Sequence, residues 1–522
     1  MRTIKKYILL LSVIVFLGIF YVPAQSAITN QDKGYTYGSI QAALDAASAN
    51  HTILLDAGTY TENITWPNTE NIVLKGAGGT NSTNVILDGN RVSRCITVEN
   101  PVSLSISGMT IQNGQVTGNG GGIFVIDGAR IYLENIIGKQ CTANYTSTYN
   151  YGEGGFLSVT GNSSEVSINL CTFTNNYAIY GGAISNAGGY FYSNKNIFFQ
   201  NRSKYSGGGI YASDSFLQII NTNFIGNYGY DGGGVYTNNS TLNAENVIAV
   251  DNYASEHGGA IYNYKSTASI NNGTICGNSA KYYGGGIFNK SCTLNASNII
   301  IWFNEGNPTF AAQITNSSVS TINIAYSNIQ GGYTGGYSGA GNIDTDPLFV
   351  NGPTSDVHLR YDSPCIDSGT VNSSVTTDIE DFSRPAYTAY DIGAYEYHGM
   401  IVNEHYPTKN NKFVPIHVDH LSFRIKDHQH LVDTNKITVN ISGVEYYGSS
   451  INIIDNSIGT SADMLISVNI SLAENVTYNV TINISGVSEN IIDTYWLRTS
   501  PYIAFNIKSG SGPTTNYSSI QD

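Results

Sequence analysis

The chain has 522 residues, of which 12% are charged, with 56 Gly, 38 Tyr and 4 Met. Its formal net charge of −14 argues against nucleic acid or anionic membrane as a partner, because both need basic surface. A hydrophobic share of 41% excludes global disorder, and the wealth of turn and strand formers over helix formers points to an all-β chain of more than one domain.

The N-terminus reads as a secretory signal over residues 1–26. Arg2, Lys5 and Lys6 give a positive region, residues 8–22 an apolar run, and Ala24, Gln25 and Ser26 small residues for cleavage. An uncleaved anchor is the alternative, although the run is short of the ~20 residues of a span. No second such run follows, so no membrane insertion is expected after cleavage. Ser39 to Ala47 then predicts a short amphipathic helix near 39–48. Strands are expected at residues 53–60, 72–76 and 85–89.

The centre is repetitive. Glycine runs begin at Gly120, Gly154, Gly181, Gly207, Gly232, Gly258 and Gly284, and the last five starts are spaced by 26, 25, 26 and 26 residues. Each run is followed by an apolar residue, such as Ile210, Val235, Ile261 or Ile287. A second column carries Phe173, Phe198 and Phe224, or Ile275 and Ile301, three residues before an asparagine. The asparagines are Asn176, Asn201, Asn227, Asn252, Asn278 and Asn304. A period of about 20–50 residues marks a solenoid or array, in which one repeat buries its apolar row only against the next. Gly182, Gly208, Gly233, Gly259 and Gly285 are expected at tight turns, and the asparagines in an amide ladder. A phosphate-binding loop is not supported, since neither Lys-Ser/Thr nor a long helix follows the glycines.

These Gly-Gly-Ala-Ile and Phe-x-x-Asn motifs resemble the repeats of chlamydial polymorphic outer-membrane proteins, within the pectin-lyase-like right-handed parallel β-helix superfamily. The resemblance implies such a β-helix over residues 28–399. A cap helix would cover the first coil, repeat coils would fill about 100–305, and terminal coils with a cap would follow over 306–399. Asn342 to Phe349, Ser363 to Gly369 and Tyr390 to Tyr397 are similar to a common ending of bacterial and archaeal surface β-helices. No outer-membrane barrel segment is seen, so autotransport is not expected. Alternating stretches after Gly399 resemble Ig-like modules of microbial surface proteins, which implies a β-sandwich over 400–506. Residues 507–522 read as a flexible tail.

Candidate chemistry is sparse. Lyases and hydrolases on β-helices need a base with calcium-binding carboxylates, or clustered Asp with His. Asp214 and Asp231 fall at different phases of successive coils, and His257 reads as a turn residue on a solvated edge. Catalytic residues are therefore not assigned. No cofactor is expected, although calcium could take Asp344, Asp346 or Asp367; loop carboxylates making turns are the plainer reading. The six cysteines have no C-x-x-C spacing and read mostly as small buried residues, with Cys141 placed in the phenylalanine column. Sequons such as Asn63-Ile64-Thr65 and Asn479-Val480-Thr481 admit N-glycosylation.

Tyrosines cluster ahead of the glycine runs. Tyr205, Tyr228, Tyr230, Tyr253 and Tyr282 are the candidate binding residues, with Tyr205, Tyr228, Tyr253 and Tyr282 expected on the same turn of adjacent coils. Such a strip suits sugar rings and protein surfaces, or it stacks upon itself as a structural ladder. The expected function is adhesion, surface coating or glycan binding by a secreted or cell-surface protein, with an extracellular glycan or a cell-surface protein as partner. The alternative is an extracellular polysaccharide lyase or glycoside hydrolase.

Overall fold

Each glycine run turns the chain through a corner that side chains would obstruct. The first glycine is left-handed, with φ of 65° at Gly181, 68° at Gly207, 66° at Gly232, 67° at Gly258 and 59° at Gly284. The second is held by close approach of backbone. A β-carbon on Gly182, Gly208, Gly233, Gly259 or Gly285 would lie 2.1–2.3 Å from a carbonyl oxygen of the next coil. In the computed structural model these corners stack into a parallel β-solenoid of about 10 turns. It describes residues 26–499 apart from 78–81, 146–151, 307–312, 318, 333–338, 352–355, 361, 372–375, 387, 400, 415–417, 428–431, 457–461, 474–475 and 487–489. The expected tail and, save Ser26, the expected signal lie outside the described residues. The chain divides into two compact units, Met1–Glu396 and Tyr397–Asp522.

One coil shows the logic. Strand Val235–Asn238 leaves the glycine corner, Thr241–Val250 follows, and Tyr253–His257 returns to the next corner. Left-handed residues Asn239, Asn246, Asp251 and Gly258 make the bends, and Lys265, Asn272, Gly277 and Gly284 repeat them one coil on. Inside, Ile210, Val235, Ile261 and Ile287 pair in register as one column, each no more than 3% exposed. A second column stacks Phe173, Phe198 and Phe224, with ring centroids 5.0 and 4.9 Å apart. Cys141 does not join it. Gly138 occupies the position that pairs with Phe173, and the ring of Phe156 fills the space that Gly138 leaves. Cys141 instead underlies Asn176, whose side-chain oxygen accepts its N–H at 3.0 Å. Counted from the glycine run before it, Cys141 stands 21 residues on, as Asn201 and Asn227 stand 20 residues after theirs, so it takes the asparagine position.

The asparagines form a closed ladder. The side-chain oxygens of Asn227, Asn252, Asn278 and Asn304 each accept the backbone N–H and the amide N–H of the asparagine one coil earlier, at 2.9–3.0 Å. The second amide hydrogens of Asn201, Asn227, Asn252, Asn278 and Asn304 go to the carbonyls of Phe173, Phe198, Phe224, Ala249 and Ile275 at 2.8–2.9 Å. Every one of these polar groups is buried, and pairing removes the penalty that burial would impose.

The open first coil is covered by helix Ile40–Asp45. Ser39 caps it by accepting the N–H of Ala42 at 3.1 Å, and Ile40, Ala43 and Leu44 are fully buried. At the other end the chain runs back along the outside of the coils. The N–H of Ala394 bonds Thr274 Oγ1 (3.0 Å), Asn298 and Asn246 bond the carbonyls of Thr370 and Thr377 (2.8 and 2.9 Å), and Lys195 pairs with Asp381 (2.6 Å). This strap explains why the outward residues Ile248, Val250, Ile300 and Trp302 are buried, whereas Ile197 and Phe199 before them are 37% exposed. An ion pair between Arg384 and Glu396, 2.6 Å long and wholly buried, fixes the end of the strap.

His358 clamps the same region. Its Nδ1 is 2.5 Å from Asp356, its Nε2 3.5 Å from Glu380, and its ring stacks on Tyr395. Burial alone would depress its pKa, but the two carboxylates outweigh burial and raise it from 6.5 to about 9. A raised folded-state pKa gives stability that is complete below the unfolded value and is lost as pH rises through the folded one. The melting temperature is therefore expected to fall between pH 6.5 and about 9. In His358→Gln that decline should flatten; parallel curves for the two proteins would remove the clamp.

The unit Tyr397–Asp522 contains two small sheets. One orders the strands Ile401–Tyr406, His420–Asp427, Ala462–Asn469 and Asn452–Asp455. The other orders Asn411–Val414, Asn490–Thr499, Thr477–Gly486, Val432–Ile441 and Val444–Tyr447. Among the described residues every pairing is antiparallel except that of Asn411–Val414 with Asn490–Thr499. Phe423, Ile425, Ile466, Val439, Ile482 and Leu497 from both sheets share one apolar cluster.

Candidate functional site

A seven-stranded parallel ladder carries Tyr228, Tyr230 and Tyr253, and Tyr205 and Tyr282 follow just after two of its strands. Within it, Arg202, Tyr228, Tyr253 and Ser279 follow one another in register. The rings of Tyr228 and Tyr253 stack at 5.3 Å with 25° between planes, and the Arg202 guanidinium lies 4.6 Å from the Tyr228 ring. Tyr253 is the last ring of this stack, because Ser279 is too small to continue it, and it is 37% exposed.

Tyr205, Tyr230 and Tyr282 lie in a different column, nearer the corner. The N–H of Tyr230 bonds the carbonyl of Tyr205, and that of Tyr282 bonds the carbonyl of Glu256. Tyr205 meets Tyr230 edge-on at 6.5 Å, Lys204 sits 5.3 Å from the Tyr205 ring, and Lys281 sits 4.9 Å from the Tyr282 ring. The expected single strip is thus two. Tyr205 and Tyr282 precede their first glycine by two residues, Tyr228 and Tyr253 by four and five. A shift of register between Gly229 and Asp231 absorbs the odd residue.

A third aromatic set lies across the corner and escaped the sequence reading. Tyr211, Tyr236, Tyr262 and Phe288 stack in order at 5.5, 5.0 and 4.9 Å. Facing them are the residues directly before the first glycines, among them Glu153, Tyr180, Asp231, His257 and Tyr283. His257 does not sit on a solvated edge. Its Nδ1 is 2.9 Å from Asp231 Oδ1, its ring lies parallel to Tyr283 at 5.3 Å, and Phe288 stacks on it at 4.8 Å. Burial, and then neighbouring phenols and Asp231, push the Tyr236 hydroxyl far up; burial and Asp231 do the same at Tyr262. Glu153 accepts a hydrogen bond from Ser185 Oγ at 3.1 Å, and burial raises its pKa despite that bond.

The corner offers ring faces, phenol hydroxyls, an imidazole and the separated carboxylates of Glu153 and Asp231, with Glu256 in the neighbouring tyrosine column. Glu153 and Asp231 are three coils apart through Tyr180 and Ser206. At ~4.8 Å per coil that is about 14 Å, beyond the ~5–9.5 Å over which paired carboxylates cleave a glycosidic bond.

The three acidic residues considered for calcium are engaged by backbone. Asp344 accepts the N–H of Gly331 and Asp346 that of Leu348, at 3.0 and 2.9 Å. Asp367 accepts the N–H groups of Thr388 and Ala389 at 2.9 and 2.8 Å. Among the described residues no three His, Cys, Asp or Glu side chains group as a metal site, and no helix is long and apolar enough to cross a membrane. Comparison with family models, with curated proteins and with solved structures gives no match.

Proposed function

We propose that this chain is a secreted or cell-surface protein that binds glycans along its tyrosine-bearing face, without turning them over. The observation that carries the reading is the half-exposed tyrosine tract on the seven-stranded face, ended by the uncovered ring of Tyr253 and edged by Arg202, Lys204 and Lys281. A ring with a free face supplies apolar contact to a pyranose, while phenols and cations bond its hydroxyls. The stacked glycine corners and the asparagine ladder support placing the solenoid with the pectin-lyase-like β-helices and their polymorphic outer-membrane-type repeats. The two small sheets of the second unit fit an Ig-like module.

Tyr253→Ala is expected to weaken binding to a responsive glycan by about tenfold, near 1.4 kcal/mol, with the melting temperature almost unchanged. Glycan-array and cell-binding measurements check this. A large drop in melting temperature with binding intact would leave the tyrosines as a structural ladder. The Asp231–His257 pair favours the lyase or hydrolase alternative. Product analysis on acidic and neutral polysaccharides, with and without calcium, separates the readings. Unsaturated ends or new reducing ends that vanish in His257→Ala would establish the enzyme.

A further inference from the structure

Two of the buried cysteines occupy a feature of the core with no counterpart in later coils. Cys95 and Gly122 are neighbours in one column: the N–H of Cys95 bonds the carbonyl of Gly122 at 3.0 Å, and Ile96 pairs with Ile123 beside them. Gly114 and Cys141 are neighbours in another, where the N–H of Thr142 bonds the carbonyl of Gly114 at 2.8 Å and Gln115 pairs with Thr142. The two columns touch. A β-carbon on Gly114 would lie 3.0 Å from Cys95 Sγ, and one on Gly122 would lie 3.2 Å from Cys141 Sγ. The four residues form a square with cysteines on one diagonal and glycines on the other. Neither glycine has a side chain to stand between the sulfurs, and the Phe156 ring packs beside Gly122, 2.8 Å from where its β-carbon would lie.

We propose that Cys95 and Cys141 are a disulfide-forming pair that staples the first coils of the solenoid. Column neighbours stand ~4.8 Å apart, so the diagonal of such a square is about 6.8 Å, at the upper end of the ~4.4–6.8 Å Cα separation of a disulfide. The ladder position supports the assignment. Cys141 takes the place beneath Asn176, where each later coil holds an asparagine, and its own predecessor there is Gly114. Cys171 and Cys292 face backbone carbonyls at 3.2 and 3.0 Å, and Cys365 faces the amide of Asn328 at 3.1 Å. Hydrogen bonding does not distinguish the pair, since Cys95 and Cys141 face the carbonyls of Gln112 and Lys139 at 3.3 and 3.4 Å; the glycines beside them do. Contact with the Cys141 thiol, and then burial, push the Cys95 thiol far above its usual range, which agrees with two sulfurs in mutual contact.

The reaction is thiol–disulfide exchange. A thiolate attacks a small-molecule or protein disulfide, releasing one thiolate and leaving a mixed disulfide. The second cysteine then attacks that mixed disulfide, forming the Cys95–Cys141 bond and releasing the other thiol. Two protons leave with the two electrons, and the added disulfide is reduced to two thiols. Both cysteines are fully buried in the folded chain, so the exchange takes place before these coils close.

The test refolds the full chain from denaturant with oxidised and reduced glutathione, then alkylates it with iodoacetamide in denaturant. Two of the six thiols should escape alkylation, and a non-reducing digest should yield a peptide joining the segments of Cys95 and Cys141. Cys95→Ser and Cys141→Ser should each leave every remaining thiol alkylated, whereas Cys171→Ser should keep the bridge. Dithiothreitol should lower the melting temperature of the bridged chain by about 5 °C and leave that of the doubly substituted chain unchanged. Where refolding fails, the same count is made on chain secreted into an oxidising compartment. Six alkylated thiols in oxidised, folded protein, or a bridge between other cysteines, overturns the proposal.

Discussion

Ile261→Asp is expected to abolish the ordered solenoid on both sides of its coil. Ile261 lies between Val235 and Ile287 in the inward column and shares an apolar enclosure with Ile219, Phe224, Leu242 and Val247. No cation or donor stands in that enclosure to receive a carboxylate. An unpaired charge there costs several kcal/mol, of the same order as the ~5–15 kcal/mol that holds a domain together. Because each coil is stabilised only by its neighbours, the loss spreads to the coils that hydrogen-bond to it. Ile261→Val, which keeps the shape and removes one methylene, should cost only about 1 kcal/mol. Limited proteolysis followed by mass spectrometry reads the difference. The Asp variant should be cut within residues 235–287 under conditions where the parent and the Val variant stay intact. An Asp variant as resistant as the parent would place Ile261 outside the core.

The legible part of this fold is the part whose cause is local. A glycine that must be left-handed, or whose β-carbon would strike the carbonyl above it, announces itself in every coil, so Gly208, Gly233 and Gly259 fix the period unaided. Ile210 to Ile287 follow at a constant offset and inherit the register. What the sequence hid depends on phase between coils or on distant chain. Asp231 and His257 both stand directly before a first glycine, and that shared phase would have revealed their pairing. A search for motifs within one coil passes over it, because partners in a solenoid are one period apart. Tyr211, Tyr236 and Tyr262 are equally periodic, each four residues after its first glycine, and stack at 5.5 and 5.0 Å across the corner from the denser tyrosines that precede the glycines. The division of the tyrosine strip follows from spacing, since Tyr205 and Tyr282 stand two residues before their first glycine while Tyr228 and Tyr253 stand four and five before theirs. The strap over Ile248 and Ile300 was not readable at all, since those residues look like ordinary outward positions until residues more than 70 places later cover them.

Asn227 should prove a demanding polar position in the solenoid, and two replacements distinguish why. Its side-chain oxygen accepts both the backbone N–H and the amide of Asn201, and its own amide reaches the carbonyl of Phe198 and the side chain of Asn252. Asn227→Ala deprives the two Asn201 donors and the Phe198 acceptor of partners in a fully buried site. At ~1–3 kcal/mol for each orphaned group, the expected loss is on the order of 3–6 kcal/mol. Asn227→Asp keeps an oxygen for Asn201 but sets a second, negatively charged oxygen against the Phe198 carbonyl, where a donor stood. Burial and that carbonyl both favour the protonated acid, so the folded-state pKa of the new carboxyl must rise above its unfolded ~3.9. The destabilisation is then complete at neutral pH and shrinks as pH falls through the raised value, because the protonated group can again donate to Phe198. Denaturant melts of the parent, Asn227→Ala and Asn227→Asp across pH 4 to 8 give the test. The Asp variant should converge on the parent toward acid while the Ala variant keeps a constant deficit. Parallel displacement of both variants at every pH would mean that the asparagine fills space there and that its hydrogen bonds do not hold the coils together.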